Sequence, residues 1–317
     1  MTKSTSIVFS GMQPSGELHI GNYLGALKQW VEIQNSGKFQ SFFFIADYHS
    51  LSEDYDPKLK QQQIRDLAIS YLAAGLDPEK STIFVQSAVP VCTELSWILT
   101  SLTPVAELER MTQFKDKSSK QTQNINAGLL MYPVLQAADI LLYHGTHVPV
   151  GKDQIQHVEI TRSIARWFNN KYGVEYFPEP EPLVTKTPRV MSLVDPEHKM
   201  SKSAGDKHWI GINEDEEAIT AKLKKAVTTP EGIASLREMY NALSQTMEAP
   251  FDDENMAKTK VTLAHGIASH FAAYRERRAE LETRPEFVEE VLAKGAEKAL
   301  VMAEKTMSEV KKIIGLS

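Results

Sequence analysis

Ile7-Val8-Phe9-Ser10-Gly11-Met12-Gln13-Pro14-Ser15-Gly16-Glu17-Leu18-His19-Ile20-Gly21-Asn22 reads as a strand, a tight turn and the start of a helix. Ile7-Val8-Phe9 is a short β-prone run, closed by Gly11 and the turn residues Gln13 to Gly16. Beyond the turn, Ile20, Tyr23, Leu24, Leu27 and Val31 recur at helical spacing and trace one apolar face. A strand that passes through a glycine-rich turn into a helix is the opening unit of a parallel sheet. In such sheets ligands bind beyond the carboxyl ends of the strands, where helix N-termini attract anions.

The pattern repeats outward from this unit. Phe42 to Ala46 is a second buried-strand candidate, and Thr82 to Val85, His147 to Val150 and Val190 to Leu193 are the next three. Between the second and third, Pro57 and Gly75 bracket a helix with apolar Ile64, Leu67, Tyr71 and Leu72. Alternating strands and helices predict an α/β fold, a Rossmann-type doubly wound parallel sheet. Pro178 to Pro182 reads as a short stiff loop before the last strand. After about Ala204 no strand pattern remains, and 214–227, 232–245, 254–281 and 285–314 read as helices. The expectation is a catalytic α/β part over 1–204, with a small helical insertion at about 105–145, and an all-helical domain over 205–317.

Composition narrows the function classes. The 317 residues suffice for two ordinary domains, and 42% apolar with 24% charged residues is globular usage. The net charge of −6 means that a nucleic-acid partner must be met by a local patch, not by a global field. A single cysteine, Cys92, forms no internal disulfide and fits a reducing compartment. No apolar run approaches a membrane span and the polar N-terminus leaves no room for a signal peptide, so a soluble cytoplasmic protein without membrane contact is expected.

Two segments carry chemistry. His19 and Asn22 sit three apart at the start of a helix, placed to donate hydrogen bonds to phosphate. Lys199-Met200-Ser201-Lys202-Ser203 puts two ammonium groups and two hydroxyls on one polar loop, a cation clamp suited to polyphosphate. Taken singly, the first also fits a glycine- and proline-rich turn with a capping helix, and the second a solvated loop. Their coincidence is what points to a nucleotide. Gly145 to Gly151-Lys152 imitates a P-loop, but five residues separate the glycines and Asp153 replaces the Ser or Thr. The histidines lack the spacing of a zinc site, so no tightly bound, protein-ligated metal is expected. Lys222, Lys224 and Lys225 and Arg275, Arg277 and Arg278 read first as solvated helix faces, and as the first candidates for phosphate contacts if RNA binds.

His19-Ile20-Gly21-Asn22 resembles the first signature of the class I aminoacyl-tRNA synthetases, with Asn in place of the usual final His, and Lys199 to Ser203 matches their second. Gly11 to Gly16, Glu107 to Lys115, Tyr132 to Leu142 and Val150 to His157 narrow the resemblance to the bacterial-type tryptophanyl-tRNA synthetases. It runs from about Ile7 to Ser203, with a weaker helical match beyond. The resemblance implies activation of L-tryptophan by ATP with Mg²⁺ to tryptophanyl-adenylate, then transfer to tRNA(Trp) with release of AMP and pyrophosphate. It implies a helical anticodon-binding domain and a homodimer.

The resemblance also implies roles. Lys199, Lys202, Lys115 and Lys117 would neutralise the departing pyrophosphate, while His19 and Asn22 hold phosphates and Gly21 lets the adenosine lie on the backbone. Gln13, Pro14, Ser15, Gly151, Lys152, Asp153, Val190, Met200, Ser201 and Ser203 would complete the ATP site. Tyr132, Gln136 and Asp139 share one helix face and would read the amino acid together with Gln13, with Asp139 accepting from the indole N–H. Position 136 is often Met in the bacterial tryptophan enzymes, and Tyr-x-x-x-Gln-x-x-Asp is also the pattern of the tyrosyl-tRNA synthetases. Lys152 stands where Glu is common, and Ala204-Gly205 replaces a more usual Asp-Pro. The alternatives are a tyrosyl enzyme, a nucleotidylyltransferase sharing the His-x-Gly element, and a catalytically silent RNA-binding paralogue.

Overall fold

The computed structural model describes residues 6–52, 54–114, 126–151, 154–184, 188 and 190–316. Five parallel strands form one sheet in the order β3-β2-β1-β4-β5. They are β1 (Ile7–Met12), β2 (Gln40–Ile45), β3 (Ser81–Val85), β4 (His147–Val150) and β5 (Glu181–Val184). The order grows one way from β1 to β3 and the other way through β4 and β5, so the switch point lies between β1 and β4. The fold class is the expected Rossmann-type α/β sheet followed by helices.

Alternation along the strands supplies two cores. Val8, Phe43, Ile45 and Ile83 face one side, where α1 (Lys28–Ser36) and α2 (Pro57–Ala73) pack with Trp30, Ile33, Leu67 and Tyr71. Phe9, Phe42, Phe44 and Phe84 face the other, covered by α3 (Val91–Thr100), α5 (Ala127–Leu142) and α6 (Ile155–Tyr172). A short α4 (Val105–Glu109) precedes α5. Asp56 caps α2 by accepting from the Lys58 N–H at 2.9 Å, with Pro57 at the first helical position, and Gly75 closes the exit at φ +107°.

The fifth strand differs from the expectation. Glu181–Val184, which begins inside the proline-rich stretch read as a loop, pairs in parallel with His147–Val150. Proline lacks a donor and so is confined to sheet edges, and Pro182 sits in the edge strand. Val190 to Leu193 is not in the sheet. It turns back on the loop after it, with the Met200 N–H donating to the Val190 carbonyl at 3.1 Å and the Ser192 N–H to the His198 carbonyl at 2.9 Å. That hairpin carries Lys199 to Ser203.

Helices α7 (Glu216–Lys225), α8 (Pro230–Ala242), α9 (Met256–His270), α10 (Ala272–Glu282) and α11 (Pro285–Ile314) follow. The single helix expected over 254–281 is two, broken at buried Phe271. The 30-residue α11 returns to the sheet. Its Val288 and Val291 belong to the first core, and its Ala299, Ala303, Met307 and Val310 to the second. Gly295, between them, lies against the backbone of Ile83 in edge strand β3, where an added Cβ would come within 1.8 Å of the carbonyl oxygen. One helix thus closes both faces of the sheet at its β3 edge.

Candidate active site

The carboxyl ends of β1 and β4 open into a cavity of about 1120 Å³ at the switch point. The chain reaches it from β1 through the turn Gln13 to Gly16, where Gly16 adopts φ +95°. The path then enters a helix that begins at Ile20–Asn22, widens to a π-helical turn over Tyr23–Leu27 and continues as α1. His19 is the N-cap of this helix, not a member of its first turn. Its Nδ1 accepts from the Asn22 N–H at 3.3 Å, while Asn22 Oδ1 accepts from the His19 N–H at 3.1 Å. Burial, helped by the Lys202 charge, pulls the imidazole down to about 4, so the ring is neutral near pH 7. A neutral ring that accepts at Nδ1 carries its proton on Nε2, as a donor. Gly21 makes room for this ring, since a Cβ there would stand 2.9 Å from it.

The two segments singled out above meet. The Lys202 ammonium donates to the Ser15 carbonyl at 2.9 Å and to its hydroxyl at 3.3 Å, across 187 residues of chain. Burial lowers the pKa of Lys202 from the usual lysine range, against the pull of Glu17. Lys199 and buried Met200 line the cavity. Ser201 and Ser203 share a hydroxyl–hydroxyl hydrogen bond at 2.8 Å. Gln13, His19, Gly21 and Asn22 line one wall, and Gly151 and Val190 lie on another. Pro14 is buried in the turn and is not part of the lining. Lys115, Lys117, Lys152 and Asp153 lie outside the described residues.

Tyr132, Gln136 and Asp139, four and three residues apart on α5, all face the same cavity. Asp139 is buried at 2% exposure. It accepts from His49 Nε2 at 2.9 Å on Oδ2, and from Gln86 Nε2 at 3.0 Å on Oδ1 and 2.8 Å on Oδ2. Burial raises the carboxyl's pKa, and the donors His49 and Gln86 oppose that shift. Tyr132 Oη lies 2.8 Å from Nε2 of buried His157. Valines 148 and 150, at the end of β4, add an apolar side. The cavity therefore has an apolar part with one buried acceptor and a polar part with a lysine and a helix N-terminus.

This geometry meets its relatives directly. A family model described as tRNA synthetases class I (W and Y) matches residues 1–305. The chain belongs to this family of class I synthetases. It is 42% identical over 325 residues to the tryptophan–tRNA ligase of Wolinella succinogenes, covering 98% of each chain. Among solved structures it is similar to the tryptophanyl-tRNA synthetase of Campylobacter jejuni complexed with ADP and tryptophan, with a TM-score of 0.82, 37% identity, and 98% and 99% of the two chains covered. The enzyme from Mycoplasma pneumoniae aligns with a TM-score of 0.88 at 32% identity over 99% of both chains. A tyrosyl-tRNA synthetase from Archaeoglobus fulgidus shares the fold at 20% identity and a TM-score of 0.67, over 87% of this chain and 91% of that one.

Several residues on or just behind the cavity were not singled out from the sequence. His49 follows β2 within four residues, Gln86 directly follows β3, and Gln154 and His157 follow β4. The rule that sites gather at the carboxyl ends of parallel strands would have nominated each of them. The P-loop imitation resolves as β4, which occupies His147–Val150 between the two glycines. Three of the basic residues proposed for RNA are half-buried against internal partners. Lys222 pairs with Asp206 at 2.7 Å and Glu214 at 2.5 Å and lies over Trp209. Arg275 donates to the carbonyls of Ala268 and Glu214, and Arg278 to the Ser70 hydroxyl and Asp66. Lys224, Lys225 and Arg277 remain exposed. Among the described residues no group of three or more His, Cys, Asp or Glu side chains is placed to hold a metal ion, and no helix is long and apolar enough to cross a membrane.

Proposed function

We propose that this class I synthetase activates L-tryptophan with ATP and transfers it to tRNA(Trp), releasing pyrophosphate and AMP. The observation that carries the reading is a single cavity with the buried carboxylate Asp139 in its apolar part and Lys199 with the capped helix in its polar part. The tryptophan carboxylate attacks the α-phosphorus of ATP, the bond to the bridging oxygen breaks, and pyrophosphate leaves. The terminal ribose hydroxyl of the tRNA then attacks the adenylate carbonyl and expels AMP. Positioning and charge neutralisation suffice for both steps.

We infer the roles from residue chemistry together with the family's pattern. Asp139 accepts from the indole N–H, Tyr132, Gln136 and Gln13 hold the rest of the amino acid, and Val148 and Val150 pack the ring. His19 Nε2–H and Asn22 donate to phosphate, while Gly21, Gly151, Val190 and Met200 lie along the nucleoside. Lys199 and Lys202, with Lys115, take up the charge of pyrophosphate, and Pro14, Ser15, Ser201 and Ser203 hold the two loops in shape. Lys152 and Asp153 are assigned to the ribose side. Magnesium enters with ATP as part of the substrate.

Residues 1–204 form the catalytic part, with the segment 105–145 as its helical insertion, and the helical part 205–317, whose last helix α11 packs back on the sheet, carries the anticodon-reading surface. The enzyme works in the cytoplasm as a homodimer. Trp97, 75% exposed on α3, and Val105, 57% exposed at the start of α4, support a face for a second copy. Exchange of labelled pyrophosphate into ATP, driven by each amino acid in turn, tests the reading. Tryptophan-dependent exchange is expected, and exchange that follows tyrosine, or none at all, overturns it.

A further inference from the structure

Gln86 is 1% exposed and does not line the cavity, whereas Asp139 and His49 do. Its amide has a fixed orientation. Oε1 accepts from the Tyr48 N–H at 3.1 Å, which leaves Nε2 to donate, and Nε2 spans both oxygens of Asp139. Tyr48 is itself held, because Asp47 Oδ1 accepts from the N–H groups of both Tyr48 and Ser87 at 3.0 Å. The loops after β2 and β3 are thereby stitched together, and both point a donor at the same carboxylate. His49 supplies the second donor, on Oδ2.

This arrangement decides what Asp139 does. The carboxyl lies in an apolar wall with Ala137, Ala138, Ile140 and Leu141 as its buried chain neighbours. A carboxyl buried without donors neutralises by taking up a proton. In that form it presents a hydroxyl as well as a carbonyl, and it no longer demands a donor from its ligand. Donors on both oxygens oppose that protonation and favour the acceptor form. A side chain lacking an N–H then leaves a buried charge facing an apolar atom, the kind of mismatch that rejects analogues far better than shape does.

We propose that Gln86 is a positioning residue that determines amino-acid selectivity, by holding Asp139 as an acceptor turned to the N–H of the bound side chain. The inference rests on the tryptophan reading above. Gln86→Met keeps the length and removes the amide. The measurement is amino-acid-dependent pyrophosphate exchange with tryptophan and with 3-(benzothiophen-3-yl)alanine, in which sulfur replaces the indole N–H at nearly equal shape.

The wild type should favour tryptophan by about 100-fold or more in kcat/KM. In Gln86→Met the tryptophan value should fall by about 10-fold or more while the analogue changes by less than about 3-fold, so selectivity collapses. The KM for ATP should stay within about twofold in both cases, as expected for an interaction confined to the amino acid. Gln86→Glu is the second variant. It keeps the acceptor for Tyr48 but turns a second acceptor on Asp139, and it should lose selectivity in the same way. Tryptophan and analogue falling together, with selectivity preserved in both variants, would make Gln86 a packing residue and overturn the inference alone. Wild-type exchange that ignores tryptophan would sink the functional reading as well, and the two failures are therefore distinct.

Discussion

The imidazole of His19 illustrates how one side chain serves a helix and a ligand at once. Nδ1 satisfies the Asn22 N–H, and burial keeps the ring neutral, so the remaining Nε2–H is an uncharged donor. The shift has a stability consequence. The folded ring titrates at about 4, below the ordinary 6.5 of an unfolded chain. As pH falls from about 6.5 to about 4 the unfolded state takes up the proton first, so stability is lost over that window, by at most about 3 kcal/mol. Urea unfolding at several pH values should show a shallower acid loss in His19→Asn than in the wild type, and equal slopes would refute the neutral ring. Asp139→Ala should raise the KM for tryptophan by about 100-fold and leave that for ATP nearly unchanged; equal rises in both would refute its role. Lys202→Ala should slow adenylate formation by about 100-fold in single-turnover assays while tryptophan binding stays intact. The His19–Asn22 turn and the Lys199–Lys202 loop stood out because each set clusters within a short stretch, and Asp139 because it shares a helix face with Tyr132 and Gln136. Residue type did not mark Gln86, because glutamine carries no charge and its partner lies 53 residues away; only its place just past β3 points to it.

Elements were legible where their hydrophobic period was unambiguous and obscure where backbone chemistry ran against habit. Four of the five strands fall where branched and aromatic runs place them. The fifth hid behind prolines, since a strand that carries Pro182 is tolerable only at an edge, and edges are set by tertiary contacts. Val190 to Leu193 has the composition of a strand, but Val190 and Ser192 bond to Met200 and His198 in support of the lysine loop, and Met191 and Leu193 bond to Ser235, His208 and Val227 instead of to the sheet. Helix α11 was visible as a long periodic run, yet its target was not. Gly295→Ala should destabilise the protein by about 3 kcal/mol or more, because the added methyl meets the Ile83 backbone, which cannot rotate away. Gly25→Ala has open space around the new Cβ and should shift the melting temperature little. Thermal melts of the two variants side by side check the contrast; comparable losses would contradict the close approach of α11.

At the scale of the molecule, the cavity is assembled from β1, α5, β4 and the lysine loop, segments separated by up to about two hundred residues of chain. Strand order brings the ends of β1 and β4 together at the switch point, whereas the lysine loop arrives through its hairpin and the Lys202–Ser15 contact. The exposed Trp97 marks the face proposed for a second copy. Trp97→Glu should convert the proposed dimer to monomer, observed by sedimentation velocity; a variant that still sediments as a dimer would place the interface elsewhere.

The way α11 straddles the sheet also bears on how the chain comes into being. Until residues 285–314 have left the ribosome, the nascent polypeptide carries a bare β3 margin and two unfinished cores. Such an edge recruits other strands. Synthesis that stalls or terminates before that helix should therefore yield aggregates and not a trimmed but working catalyst.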